Sequence, residues 1–252
     1  MSESLKGLVV GVANEHSIAW GCALAFDADG AELAITYQND KARGYVAPLT
    51  EIVKPSIFMQ LDVIQDDQMT ALFDAIQKKW GKLDFILHSI AYAPKADLQG
   101  RVIDSSSNGF SMAMDISCHS LIRLAKAAEP LMKDGGCILT MSYYGAEKVI
   151  DNYSIMGPVK AALEATVRSL AVELGPKNIR VNALSPGPVK TRAASGLTHF
   201  DELMLKAAEK SPIHQLVTID QIGEAAAFLV SPHARQITGQ VIYVDNGANI
   251  KG

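Results

Sequence analysis

Short apolar runs rich in β-branched residues alternate along the chain with longer segments whose apolar residues recur at helical spacing. We predict strands at 8–13, 32–37, 57–63, 85–91, 137–142, 180–184 and 240–244, and helices at 18–28, 68–80, 114–132, 153–174 and 221–229. Strands that alternate with helices need right-handed crossovers, which build a parallel sheet covered by helices on both faces. The pattern therefore predicts an α/β fold with a doubly wound, mostly parallel sheet of the Rossmann type.

The chain has the organisation of one domain. The sequence contains no internal repeat, no low-complexity tract and no linker rich in Pro, Gly or Ser. Its one long segment without strong periodicity is 186–198, and loops of that length in compact domains are commonly functional. We expect a single domain over 1–252, with a substrate-covering loop at about 186–210.

Composition excludes several classes of function. Hydrophobic residues form 48% of the chain and charged residues 20%, as in a globular protein with a sizeable core. The net charge of −4 offers no basic surface for nucleic acid or membrane, and no apolar run is long enough to span a bilayer. The start of the chain lacks the pattern of a signal peptide. The three scattered cysteines indicate free thiols in a reducing compartment. The histidines lack the spacing of metal ligands. We expect a cytoplasmic protein without a bound metal.

Small or polar residues follow four successive predicted strands, where a sheet of this kind binds dinucleotides. The first strand leads into Gly11, and Ser17 and Ile18 begin the next helix without a G-x-G-x-x-G fingerprint. The N–H groups of a helix start can still bind a pyrophosphate, and the alternative for Ser17 is a plain helix cap. The further candidates for the cofactor are Asp62 and Val63 after the third strand, and Ser89 and Ile90 after the fourth.

Gln38 follows the second strand, where an acidic residue normally binds the adenosine ribose and an arginine suits a 2′-phosphate. Its amide can bond a diol but carries no charge for a phosphate. The residue therefore favours NADH over NADPH, although Lys41 and Arg43 are close enough in sequence to leave NADPH open.

Two tyrosine–lysine pairs are candidates for catalysis. Tyr144 and Lys148 have three residues between them, and Tyr153 and Lys160 have six. On a continuous helix the longer step turns through about 700°, so Tyr153 and Lys160 would share a face about 10.5 Å apart along the axis.

The sequence from Lys160 onwards resembles the short-chain dehydrogenase/reductase family. It reads K-A-A-L, then L-A-V-E-L and I-R-V-N-A-L-S-P-G, in the order of that family's pattern. The family's lysine falls on Lys160, whereas Lys148 would shift the register by twelve residues. The serine of ordinary members falls on Thr140 inside a strand, which leaves Tyr143 as the better candidate for its role.

Within that family the chain resembles the NADH-type enoyl-[acyl-carrier-protein] reductases. The six-residue gap between Tyr153 and Lys160 matches, as does a second tyrosine, Tyr143, ten positions before Tyr153. Further matching segments are 11–19, 36–40, 88–91, 187–196 and 244–247, so the resemblance covers nearly the whole chain. Ala91 and Asn246 stand where many relatives have glycine.

The resemblance implies reduction of the trans-2 double bond of enoyl thioesters on acyl carrier protein, the last step of fatty-acid elongation. It implies Tyr153 as the donor to the developing enolate, Lys160 as the ligand of the nicotinamide ribose, and Tyr143 as an assistant that positions substrate or relays a proton. Val189 and Thr191 are expected to bind the nicotinamide carboxamide, and Ala93, Tyr143, Tyr153 and Met156 the substrate. Ala193, Ala194 and Leu197 are expected to line the acyl chain.

Assembly and rival functions are expectations of the same kind. By analogy with short-chain relatives we expect a homotetramer, with the helical segments 114–132 and 161–174 as contacts. A carbonyl or hydroxyacyl reductase is one rival, and the six-residue gap argues against it. A redox sensor that binds dinucleotide without turnover is the other, but a sensor would need neither Tyr153 nor Lys160.

Overall fold

The structure, a computed structural model, describes residues 4–191 and 199–251. In that part of the chain the strands are β1 Lys6–Val10, β2 Glu32–Tyr37, β3 Ile57–Gln60, β4 Phe85–His88, β5 Gly136–Met141, β6 Ile179–Pro186 and β7 Val241–Val244. They form one sheet in the order β3-β2-β1-β4-β5-β6-β7, and every neighbouring pair is parallel. Because strand order reverses between β1 and β4, the sheet is doubly wound, which confirms the predicted fold class.

Helices cover both faces of the sheet. They are α1 Ile18–Ala28, α2 Asp40–Val46, α3 Thr50–Val53, α4 Asp66–Trp80, α5 Lys95–Leu98, α6 Ser107–Met114, α7 Ser120–Ala128, α8 Met156–Leu174, α9 Phe200–Lys210 and α10 Ile219–Val230. Successive residues of a strand point to opposite faces, so Val9 packs with α1 and α10 while Leu8 and Val10 pack with α4, α7 and α8. Burial on both faces explains why the strands are unbroken apolar runs in the sequence.

Helix 18–28 and strand 32–37 lie where the sequence predicts them. Three other predicted strands, 8–13, 57–63 and 85–91, end earlier, at Val10, Gln60 and His88. The reason is that Val12 and Val63 are buried without belonging to a strand. An apolar β-branched residue in a buried loop therefore looks like a strand residue.

The predicted helical region 114–132 is helical, but the helical run starts earlier, at Ser107, and is not one regular α-helix. A π-helical turn, Asp115–His119, interrupts it between α6 and α7, and a 3₁₀ turn ends it. The helices α2, α3, α5 and α9 were not predicted. Of these, α2, α3 and α5 are only four to seven residues long, too short for a clear apolar periodicity, and α9 buries no residue.

Two further features of the described residues bear on other classes of site. Neither of the ranges 4–191 and 199–251 holds a group of His, Cys, Asp or Glu side chains that could bind a metal ion. In the same ranges, no helix is both long and apolar enough to cross a membrane. Cys22, Cys118 and Cys137 are all buried free thiols.

Candidate active site

The turn after β1 brings the chain close to the end of β4. Gly11 has φ +115°, and a Cβ there would lie 2.1 Å from the carbonyl oxygen of Ser89. Only glycine fits this approach, because any side chain would collide with backbone. The turn therefore forms a close-packed floor at the carboxyl edge of the sheet without the familiar glycine fingerprint.

Ser17 organises this turn rather than capping α1 with its side chain. Its hydroxyl accepts hydrogen bonds from the backbone N–H groups of Ala13 and Asn14, each at 3.0 Å, and makes no bond to an amide of the helix. The interpretation of Ser17 as a side-chain helix cap was therefore wrong, whereas its hydroxyl lines the groove described below and its contact with a pyrophosphate stays a prediction. The first amides of α1, from Ile18 onwards, have no side-chain cap and lie at the positive end of the helix dipole.

A groove of about 160 Å³ lies above this floor. Its lining includes seven of the predicted cofactor residues, Gly11, Ser17, Ile18, Ser89, Ile90, Lys160 and Thr191. The three others at the adenosine end, Gln38, Asp62 and Val63, follow β2 and β3 and lie outside this groove. Gln38 is exposed, and its carbonyl oxygen accepts a hydrogen bond from the side chain of Gln60 at 3.2 Å.

A larger cavity of about 480 Å³ adjoins the groove and shares Ile18, Ser142 and Thr191 with it. The predicted residues in its lining are Ala93, Tyr143, Tyr153, Met156, Val189 and Thr191. Tyr92, Leu98 and Phe200 also line it and were not predicted, because they lie in a loop and in short or exposed helices without a sequence motif. The larger cavity is mostly apolar and opens beside the groove that contains Lys160.

Tyr153 lies in a turn before α8, so the prediction of one continuous helix with Lys160 was wrong. Its neighbours Asn152 and Ser154 have φ of 62° and 45°, which no helix accommodates. The helix begins at Met156, which places Pro158 in the first turn, where its missing N–H breaks no helical bond.

The ring of Tyr153 packs on Gly145. A Cβ on Gly145 would lie 2.5 Å from Cδ1 of Tyr153, so glycine leaves the space that the ring occupies. Burial raises the pKa of Tyr153 well above its ordinary value and that of Tyr143 to about 12. Both phenols are therefore protonated hydrogen-bond donors at neutral pH.

Lys160 is buried beneath the groove, and its Nζ donates a hydrogen bond to the carbonyl oxygen of Met141 at 2.6 Å. Burial lowers the pKa of this lysine to about 8, so the ammonium form still prevails at neutral pH. The other candidate pair, Tyr144 and Lys148, does not come together at this site. Lys148 is exposed, and Tyr144 faces Tyr243 with ring centroids 6.1 Å apart.

His88, at the end of β4, is fully buried and joins neighbouring elements of the site by hydrogen bonds. It was not selected as a site residue from the sequence. Nδ1 lies 2.8 Å from Thr140 Oγ1 and Nε2 lies 2.8 Å from Ser120 Oγ. Because Ser120 donates its own hydrogen to the carbonyl of Ile116, it must accept from Nε2–H, and Nδ1 accepts from Thr140. The ring is therefore neutral and ties β4 and β5 to the π-helical turn.

The loop that forms one wall of the larger cavity is also tied to this turn. Ser117 accepts a hydrogen bond from the N–H of Tyr92 at 2.9 Å and donates one to its carbonyl at 3.0 Å. These two bonds hold the segment from Ala91 to Ala93 against the site. A π-helical turn inside a helix is often found at functional sites.

A doubly wound sheet with a tyrosine and a lysine at this groove defines a reductase of the short-chain dehydrogenase type. The sequence profile of the family described as Enoyl-(Acyl carrier protein) reductase matches residues 11–249. The chain is 46% identical over 247 residues to the enoyl-[acyl-carrier-protein] reductase [NADH] of Rickettsia felis, covering 98% of this chain and 95% of that protein. The chain belongs to the enoyl-[acyl-carrier-protein] reductase family.

Two solved structures of such reductases superpose closely. The reductase from Anaplasma phagocytophilum, in complex with NAD, has a TM-score of 0.95 and 44% identity, covering 99% of this chain and 95% of its own. The Bacillus cereus reductase, with NADP⁺ and indole naphthyridinone, has a TM-score of 0.96 and 40% identity, covering 98% and 97%. The two relatives thus differ in the dinucleotide that their crystals contain.

Proposed function

We propose that this chain reduces the trans-2 double bond of enoyl thioesters carried on acyl carrier protein with hydride from NADH, the last step of each fatty-acid elongation cycle. The observation that carries the proposal is the junction of a groove above a buried lysine with a larger apolar cavity. Lys160 lies under the groove, and Tyr143 and Tyr153 line the cavity. The groove suits a dinucleotide and the cavity suits an acyl chain.

Two features of the groove suit the pyrophosphate of NADH. The floor at Gly11 leaves no side chain in the way, and the uncapped start of α1 at Ile18 suits a pyrophosphate. The residues that would hold the rest of the cofactor are Gln38, Asp62, Val63, Ser89 and Ile90 at the adenosine end, and Lys160, Val189 and Thr191 at the nicotinamide end. Ser17 acts indirectly, by shaping the turn.

The chemistry divides between cofactor and protein. NADH, when bound, would supply the hydride for the β-carbon of the enoyl thioester. Negative charge would then collect on the thioester oxygen, to which Tyr153 would donate a hydrogen bond as a protonated phenol. A proton from solvent would complete the reduction at the α-carbon. Lys160 binds the nicotinamide ribose and keeps positive charge near the tyrosine, while Tyr143 positions the thioester.

The acyl chain would occupy the larger cavity beside Ala93 and Met156, with Tyr92, Leu98 and Phe200 as further walls. The segment 186–210 would cover it; its described part comprises the end of β6, residues up to 191 and α9. Ala193, Ala194 and Leu197, which the sequence assigned to the same wall, lie outside the described residues.

The test follows the oxidation of NADH by its absorbance in the presence of a crotonyl thioester. We expect turnover with NADH, and a slower reaction with NADPH because Gln38 offers no charge to a 2′-phosphate. A matched 3-oxobutyryl thioester is the control. Turnover of the control with no turnover of the crotonyl thioester would refute the enoyl reductase in favour of a carbonyl reductase.

The proposal includes a homotetramer in the cytoplasm. Exposed apolar side chains support the assembly, among them Met112 on α6, Val172 on α8 and Phe228 on α10. The three free thiols support a reducing compartment. Light scattering on the purified protein checks the assembly, and a monomeric mass would contradict it.

A further inference from the structure

The end of β5 is tied to α8 at two successive residues. Met141 offers its carbonyl oxygen to Lys160, and Ser142 donates its hydroxyl to Oε1 of Glu164. Lys160 and Glu164 are four residues apart on one helix, so their side chains share a face. Tyr143, the residue after these two hydrogen-bonded residues, lines the larger cavity.

Glu164 is a buried carboxyl group, with only 6% of its surface exposed. It faces the side of the sheet on which Ser142, Ser185 and Tyr243 lie in a row, because Ser185 pairs with Tyr243 and Ser142 follows Met141, the partner of Leu184. In the described part of the chain, the buried hydroxyl of Ser185 has no hydrogen-bond partner, and that of Tyr243 lies beside Glu147. Glu164 is thus the acidic centre of a buried polar cluster beside the catalytic lysine.

Titratable groups surround Glu164 and Lys160 on several elements. Lys160 and Arg168 on α8 lower the pKa of Glu164, whereas desolvation, the largest effect, and Glu147 after β5 raise it. Around Lys160 lie Glu164, Cys118 in the π-helical turn and the neutral His88 on β4. Two further groups that feel Glu164 are Tyr153 before α8 and Tyr243 on β7.

We propose that Glu164 is a positioning residue of the reductase site, which acts through Ser142 on Tyr143 and through its carboxylate on the ammonium group of Lys160. The inference rests on the proposed function for the roles of Tyr143 and Lys160. Ser142 cannot rotate freely while its hydroxyl is bonded to Glu164, so the main chain that leads into Tyr143 is held. A displacement of about 1 Å at a reacting group can cost about 10²-fold in rate.

The charge of Glu164 and the burial of Lys160 have opposite effects on the pKa of Lys160. Desolvation lowers the pKa of Lys160 to about 8 even though Cys118 and the carboxylate of Glu164 both raise it. Without that carboxylate the pKa of Lys160 falls further, so the ammonium form is lost at a lower pH. The ribose-binding donor would then weaken within the neutral range.

The experiment compares Glu164→Gln and Ser142→Ala with Glu173→Gln, which removes an exposed carboxylate from the same helix. The amide introduced by Glu164→Gln keeps an acceptor for Ser142 but carries no charge. NADH affinity is measured by fluorescence titration across neutral and alkaline pH, and kcat and KM are measured with the crotonyl thioester.

NADH affinity should be lost at alkaline pH as Lys160 loses its proton, and the pH at the middle of this loss is the midpoint. For Glu164→Gln we expect this midpoint to lie about one pH unit lower than in wild type. For Ser142→Ala we expect the wild-type pH midpoint of NADH binding and a kcat reduced about tenfold, as for loss of one hydrogen bond that positions a reacting group. Glu173→Gln should behave as wild type. A wild-type pH midpoint in Glu164→Gln together with wild-type kcat in Ser142→Ala would overturn the proposal.

Folding and function are separated by two further readouts. If Glu164→Gln does not fold, Glu164→Asp takes its place, because it keeps the charge but draws the carboxylate back from Ser142. This variant should keep the wild-type pH midpoint and have a lower kcat. A shifted midpoint with wild-type kcat would refute the proposal. The NADH titration needs no thioester. A wild type that binds NADH but ignores the enoyl thioester therefore refutes the proposed reaction, while the shift in midpoint still tests the effect of Glu164 on Lys160.

Discussion

The phenol rings of Tyr143 and Tyr153 meet edge to face, with centroids 4.9 Å apart and planes inclined at 61°. Both rings belong to the one connection between β5 and α8, Tyr143 at its start and Tyr153 near its end, so this connection folds back on itself. Aromatic pairs prefer such tilted contacts, which fix the position of each ring. The contact sets where both hydroxyls lie relative to the apolar cavity.

Tyr153→Phe should lower kcat for the crotonyl thioester by about 10²-fold, since it removes a donor aimed at developing negative charge. NADH affinity should stay the same because the lysine and the groove are intact. Tyr144→Phe is the matched control, since Tyr144 faces Tyr243 instead. Equal losses of kcat in the two variants would contradict the role given to Tyr153.

Gly145→Ala should displace the ring of Tyr153, because the added methyl group would lie 2.5 Å from its Cδ1. Overpacking of this kind costs about 1–3 kcal/mol, and here part of it would appear as lower kcat. Gly175→Ala is the control, since a Cβ there meets nothing within 4 Å. Steady-state kinetics and thermal unfolding distinguish the two, and unchanged kcat in Gly145→Ala would argue against a fixed ring.

Gln38→Arg should shift cofactor preference towards NADPH. A guanidinium at this strand end can bond a 2′-phosphate, and a charge-assisted bond contributes about 1.5–3 kcal/mol, or roughly tenfold or more in affinity. Gln240→Arg adds the same charge at an exposed site beside the start of β7, at the opposite edge of the sheet. The ratio of kcat/KM for the two cofactors is the measurement. No change in the ratio for Gln38→Arg would mean that Gln38 lies away from the ribose.

His88 should make folding stability fall at acid pH. Burial, aided by the charge of Lys160, lowers its pKa from 6.5 to about 3. The unfolded chain therefore takes up the proton first, so the contribution is full above pH 6.5 and is lost as pH falls towards 3. The free energy of unfolding should drop by about 1.4 kcal/mol per pH unit in this window.

Urea unfolding of wild type and His88→Gln at several pH values in that window checks the slope. The glutamine amide keeps a donor and an acceptor for Ser120 and Thr140 but does not titrate. We expect the variant to be less stable than wild type near neutral pH and to lose less stability on acidification. Parallel curves for the two proteins would show that another group causes the acid sensitivity.

Much of the candidate site was predictable because its residues occur at strand ends. Gly11, Ser89, Ile90 and Lys160 line one groove, although they come from three separate segments of the sequence. Glu164 was not singled out, yet a charged residue one turn after the lysine on a buried helix face was a usable signal. The pairing of Ser117 with Tyr92 had no such signal, because the π-helical turn that presents Ser117 has no sequence period.

The sequence by itself determined the alternation of strands and helices, the parallel sheet and the choice of Lys160. The alternation and the sheet depend on local periodicity and on order along the chain, and the choice of Lys160 depends on the resemblance of the segments after it to a known family. Only the tertiary structure decided where Tyr153 lies. Its position depends on left-handed dihedrals at Asn152 and Ser154 and on the space over Gly145, and both arise from contacts between segments that periodicity does not relate.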